Sequence, residues 1–192
     1  MDRRDRRERS ALRIIVAAVL TWLSAAAAQP AFAQYQRLID QSVQLAGHGQ
    51  YAAAAESAAA ALKSAEETLG PEHLDVALAL NNLGEFQLMA AFAARDPAAI
   101  ASAVDRAEPL HRRALAIREK ALGLRHSFTL ASMINLARLH SLQRRYDEAE
   151  AEYRRARAII EEMSPQVPIL ADLDRQATAG LVRIAQIRRE TR

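Results

Sequence analysis

Apolar residues recur at three- and four-residue intervals along most of the chain, with charged residues filling the faces between them. Alanine and leucine supply most of the apolar side, Arg and Glu most of the polar side, and all four favour helix. Alternating β-branched runs, the mark of strands, are missing. The pattern breaks at His48-Gly49, Gly70-Pro71, Asp96-Pro97, Gly123 and Ser164-Pro165. Gly70 and Gly123 suit helix ends that need a left-handed residue. Asp96 suits an N-cap with Pro97 in the first turn. These signals predict helices near 36–47, 51–68, 72–95, 97–122, 127–143, 146–162 and 167–189, and hence an all-α fold.

One phrase occurs twice. LGPEHLDVALALNNLG fills residues 69–84, and the looser copy LGLRHSFTLASMINLA fills 122–137, 53 residues on. Around each copy, small residues stand at matching places: Gly84, Ala107 and Ala114, then Ala137, Ala149 and Ala156. An earlier unit carries Ser42, Ala54 and Ala61. Large residues stand nearby, among them Leu45, Tyr51, Leu83, Leu110, Leu136, Leu139, Tyr146 and Tyr153. Small residues let two helices approach closely, and large ones fill the space towards the next pair. Each hairpin then exposes an apolar flank that only a neighbour can cover, so the units stack.

The phrases LGPEHLDVALALNNLGE, AEPLHRRALAIREKALG, LASMINLARLH and RRYDEAEAEYRRARAI resemble the tetratricopeptide repeat family. The likeness is to the longer, kinesin-light-chain-like variety with repeats of about 42 residues. It covers roughly residues 38–162. It implies a short α-solenoid of stacked antiparallel hairpins, three in number, ended by a capping helix from Val167. Two departures stand out: Arg144 occupies a usual turn-glycine position, and Gln41 replaces an expected leucine.

The 53-residue spacing exceeds the expected period by about 11. The stretch from Asn82 to Ala107 holds this excess when it is set against the matching stretch from Asn135 to Ala149. The excess is about three helical turns, which lengthens a hairpin without rotating its buried faces. The middle hairpin is therefore expected to stand about 8 Å beyond its neighbours, with Met89, Phe92, Ile100 and Val104 zipping its tip. That tip is either self-contained or a docking point built on Phe92 and Ile100.

Composition changes the picture at the N-terminus. Six arginines up to Arg13 precede an uncharged run from Ile14 to Ala28, then Pro30 and the small-x-small triplet Ala31-Phe32-Ala33. That order reads as a secretory signal peptide over 1–33, leaving a repeat domain over 34–192. The run from Ile14 to Ala28 is shorter than the ~20 residues of a membrane span, so no stable insertion is expected after cleavage; an uncleaved N-terminal anchor is the alternative. The leader holds six of the 26 basic and three of the 23 acidic residues, leaving 20 of each. Net charge then gives no reason to expect nucleic acid as a partner. With no cysteine, neither a disulfide framework nor a lipoprotein anchor is available.

No site chemistry for catalysis emerges. His73 and His126 share one repeat position and read as caps at helix starts, while His48, His111 and His140 have no metal-ligand spacing. Glu66-Glu67 and Glu161-Glu162 are adjacent and diverge on a helix surface. Arg112-Arg113 and Arg154-Arg155 read as a solvated outer face among Glu108, Glu119, Glu150 and Glu152. A cysteine nucleophile and a phosphate loop are also missing, so the expected protein is not an enzyme and needs no cofactor or metal. The resemblance implies that first helices line a concave face. On that face, carboxamides at Asn82 and Asn135, with neighbouring Asn81, either hold the backbone of an extended peptide or tie the stack together. Glu85, Met89, Arg138 and Leu142 share it, beside Leu88 and Ser141. The expected role is an exported scaffold or adaptor in a bacterial periplasm that binds a protein or peptide segment. The alternative is a structural part that assembles into a homo-oligomer.

Overall fold

The computed structural model describes residues 30–163 and 167–191. Every regular element among them is a helix: α1 (30–47), α2 (Tyr51–Leu69), α3 (Leu74–Ala94), α4 (Pro97–Leu122), α5 (Ser127–Leu142), α6 (Tyr146–Glu162) and α7 (Pro168–Glu190). Helices α1/α2, α3/α4 and α5/α6 form three hairpins, α2 packs on α3, α4 on α5, and α7 on both α5 and α6. Contacts thus run from neighbour to neighbour, as in a solenoid. The basic head and apolar run of the expected leader lie outside the described residues.

Helix ends follow the local chemistry. The imidazole of His73 accepts from the amide of Asp75, and His126 does the same for Phe128, both at 3.2 Å. Each caps a first helix, as their shared repeat position implied. Asp96 accepts from the amide of Ala98 at 2.9 Å ahead of Pro97. Gly70 and Gly123 do end their helices, with φ of 86° and 78°. Their ψ values of 159° and 171° place them outside the left-handed helical well, in a region that only glycine enters readily. Among the described residues α1 is already helical at Pro30, ahead of the start near 36 that the sequence predicts. Phe32 and Tyr35 pack against a cluster containing Ala61, Ala65 and Leu80, and Ser64 donates to the carbonyl of Ala31 at 3.3 Å.

The seams between hairpins hold the core. Tyr35, Val76, Leu80, Ala114 and Ile117 fill the first, and Ile134, Tyr153, Ile160, Leu170 and Leu173 the last. His111 sits fully buried against Gly84, where a β-carbon would collide with its ring. Neither ring nitrogen of His111 has a hydrogen-bond partner among the described residues.

The middle hairpin is long, as expected. Past Asn82, α3 continues to Ala94, more than three turns, whereas α5 ends at Leu142, about two turns past Asn135. At 1.5 Å per residue the difference adds about 7.5 Å. The tip packing differs from expectation. Leu88, Ala91, Ala103 and Val104 close it, with Ile100 beside them and Leu139 and Leu142 of α5 on the flank. Met89 and Phe92 face outward, 42% and 43% exposed. One step in sequence turns a helical side chain by about 100°, which separates Leu88 from Met89. None of the described helices is long and apolar enough to cross a membrane.

Candidate functional site

The first helices bring their polar groups together along one side of the stack. Asn135 of α5 donates through Nδ2 to Oδ1 of Asn81 on α3 at 3.0 Å. One turn further on, Arg138 of α5 forms an ion pair with Glu85 of α3. These two rungs join the second hairpin to the third. Asn82, the expected counterpart of Asn135, is half-buried and makes no side-chain hydrogen bond among the described residues. The facing of α3 against α5 gives that role to Asn81.

Below the rungs lies an open cavity of about 680 Å³ between α5, α6 and α7. Glu85, Asn135, Arg138 and Leu142 line it, as does Ser141. Asn81, Asn82 and Met89 do not. Of the two candidate docking residues at the tip, Phe92 is exposed and Ile100 is half-buried against the tip cluster. Much of the remaining wall comes from residues the sequence reading did not assign to the site: Arg144, Tyr146 and Tyr153, and from α7 Gln176, Gly180, Arg183 and Ile187.

Gly180 shapes this wall. Tyr153 lies so close that a β-carbon at Gly180 would strike its ring. Burial pushes the Tyr153 phenol up, against the pull of a hydrogen bond with Ser141 and the charges of Arg138 and Arg183. A signal for α7 was present. Gly180 follows Ala137 by 43 residues, almost the 42 between Ser42 and Gly84, so α7 keeps the register of a first helix.

The turn from α5 to α6 supplies Arg144. Its neighbours on both sides grip Glu108 of α4: Gln143 donates at 2.8 Å, and Arg145 at 3.1 and 3.2 Å. Burial alone would raise the pKa of Glu108. Donation from Gln143, Arg112 and Arg145 outweighs it and brings the value down to about 2. Behind them, buried His140 meets Glu152 through Nδ1 at 2.9 Å. Between its clamped neighbours, Arg144 adopts a left-handed conformation with φ of 61° and lines the cavity. Among the described residues, no three His, Cys, Asp or Glu side chains gather as a metal site would require. The cavity offers guanidinium groups, amides and phenols around aliphatic side chains.

The outer arginines stay solvent-facing and reach acids, as expected. Arg113 crosses to α2 and pairs with Glu66, while Arg112 pairs with Glu108 and Arg154 with Glu150.

Known proteins point the same way. One tetratricopeptide repeat model matches residues 101–162, and another matches 45–75. No curated protein matches the chain. The crystal structure of BtubC (BKLC) from P. vanneervenii superposes with a TM-score of 0.60 at 21% identity, over 82% of this chain and 64% of that one. The chain therefore spans less than two thirds of that structure's length, and the likeness speaks to fold alone. With repeat models matching 45–75 and 101–162, a matching stack of helical pairs, and unit spacings of 42 and 43 residues, this chain carries tetratricopeptide repeats.

Proposed function

We propose that this protein is an exported, non-enzymatic adaptor that holds a segment of another protein on the inner face of its helical stack. Tetratricopeptide repeats typically bind protein partners, and such proteins generally act without catalysis. The observation that carries the reading here is the cavity of about 680 Å³, where side chains of α5, α6 and α7 converge without filling the space. Polar donors around an apolar floor suit a chain that presents both backbone and side chains. The test is capture of partners from bacterial envelope extract by the chain and by its Asn135→Ala/Leu142→Ser variant. A partner held by the first and lost by the second, with both equally folded, supports the reading. Partners retained equally by both would remove the inner face from the function.

Export rests on the order of basic head, apolar run and small-x-small triplet up to Ala33. Cleavage there removes Phe32 and the carbonyl that receives Ser64, and keeps buried Tyr35. Mass spectrometry of the protein from its native envelope checks this: a first residue of Gln34 is expected, and an intact N-terminus would favour the anchored alternative.

A second reading is self-assembly through the ends of the stack. Val43 on α1 and Val182 on α7, the first and last described helices, are 53% and 51% exposed. Sedimentation over a concentration series separates the two readings, since a monomer at high concentration removes this one.

A further inference from the structure

We propose that the outer cleft between α6 and α7 binds a phosphate monoester carrying an aliphatic chain. This cleft holds about 610 Å³ and lies on the flank of α7 turned away from the inner cavity. The two linings share only Ile184, so the proposal stands apart from the inner-face reading.

Sequence spacing builds the cleft. Glu150, Arg154 and Arg157 recur at four and three residues and share one face of α6. Thr178, Val182, Ala185 and Arg189 do the same on α7. Four guanidinium groups thus meet in one concave space, on Arg154, Arg157, Arg188 and Arg189, and Glu150 is the single carboxylate of its lining. Glu150 is divided between Arg154 at 2.5 Å and Arg188 at 2.7 Å. Two further acids reach in from outside the lining. Asp174 holds Arg157 at 2.8 Å, and Asp147, 98% exposed, pairs with Arg188. Arg189 has no carboxylate partner among the described residues. Solvated pairs of this kind are weak, so an incoming dianion redirects these groups at small cost.

The floor answers to more than charge. Val182 stands half-exposed there beside Leu181 and Ala185. The buried hydroxyl of Thr178, in the same lining, has no hydrogen-bond partner among the described residues. Leaving such a group unpaired is costly, and a ligand oxygen would satisfy it. A phosphate monoester carries about 1.5–2 negative charges at pH 7 and three terminal oxygens. Three oxygens accept from more guanidinium forks than the two of a carboxylate. An attached aliphatic chain would cover Leu181, Val182 and Ala185. A concave site with an apolar floor and a few converging polar groups is the usual seat of a small molecule.

Isothermal titration calorimetry of the chain with octyl phosphate, kept below micelle formation, tests this beside inorganic phosphate and octyl glucoside. Octyl phosphate should bind one to one. Inorganic phosphate should bind about tenfold more weakly for want of the chain, and octyl glucoside about tenfold more weakly for want of the charge. Arg189→Gln and Val182→Asn should each weaken octyl phosphate by about tenfold. Both residues are exposed, so thermal unfolding of the two variants should match the parent. Arg183→Gln, on the inner cavity, should leave octyl phosphate binding unchanged. No heat with octyl phosphate, equal binding of any of the three compounds, or unchanged binding in Arg189→Gln and Val182→Asn overturns the proposal. An equal loss in Arg183→Gln does so too, because it moves the ligand to the inner cavity. Binding to phosphatidic acid vesicles without binding to dispersed octyl phosphate also overturns it, in favour of a membrane-surface contact. None of these outcomes bears on the Asn135→Ala/Leu142→Ser test of the inner face.

Discussion

Between equivalent points, the middle hairpin is about three helical turns richer than the third, yet the shorter hairpin is the one beside an open cavity. In the middle hairpin the added turns bring their own packing: Leu88 and Ala91 on α3 meet Ala103 and Val104 on α4, and Leu139 of α5 covers the flank. In the third, α7 passes Gln176 and Arg183 over Arg138 and Ser141 of α5. Such groups cannot be packed dry without a large desolvation cost, so the space between them stays open. Chain length does not decide whether a surface closes. The residue types that meet across it do.

Leu88→Ala would break the closed side of this comparison. The side chain is 2% exposed at the centre of the tip cluster. Removing it should destabilise the protein by about 2–5 kcal/mol, read from denaturant midpoints. A loss under about 1 kcal/mol would mean that the long hairpin does not pack as a unit.

Acid offers a probe of the second hairpin through its buried histidine. Burial, with a smaller contribution from the charge of Arg118, lowers the pKa of His111 to about 4 from its ordinary 6.5. The unfolded chain therefore binds a proton that the folded chain refuses as pH falls below 6.5. The folded state loses stability through that window, by about 3 kcal/mol near pH 4. His111→Leu should flatten this part of the stability–pH curve. An unchanged slope would mean that His111 finds a proton-accepting partner when folded.

Gly180→Ala sharpens the open side. Its β-carbon would meet the Tyr153 ring, and either α7 or the ring must move. Such overpacking costs about 1–3 kcal/mol, and it should also weaken any peptide held against α7. Gly47, with nothing within 4 Å of an added β-carbon and no positive φ, is the matching control. Equal effects at the two positions would show that close approach is not what Gly180 provides.

Much of this was legible in the sequence, and the exceptions have physical causes. Helix ends were readable because Asp96, His73, His126, Gly70 and Gly123 act on their own backbone neighbourhood. The length of the middle hairpin followed from counting, since about three extra turns have few places to go in a helical pair. Val104 and Ile100 were placed correctly at the tip, but Met89 and Phe92 were not, because Ala-rich α3 has little amphipathic contrast and period alone does not separate Leu88 from Met89. Half of the cavity was missed because α7 repeats only the small residue of the family phrase, at Gly180, and its other wall residues, Gln176 and Arg183, leave no motif. The Asn81–Asn135 bond depends on how two helices face each other, which is set by packing and not by either helix alone.

The smallest effect belongs to the outermost residue. Phe92 stands on the long hairpin at 43% exposure and lies outside the cluster that closes the tip, whereas half-buried Ile100 packs against that cluster. Ile100→Ser should therefore cost about 1–2 kcal/mol by placing a hydroxyl against apolar neighbours. Phe92→Ser should stay within about 0.5 kcal/mol of the parent, as exposed substitutions usually do. Thermal unfolding of the two variants side by side measures the contrast. If Phe92→Ser proves as costly as Ile100→Ser, the aromatic ring is part of the closed tip, and the outward face of α3 has no spare apolar surface. If Phe92→Ser leaves stability alone but loosens a bound partner, the long hairpin contributes a contact that the third hairpin, with its shorter first helix, has no means to reach.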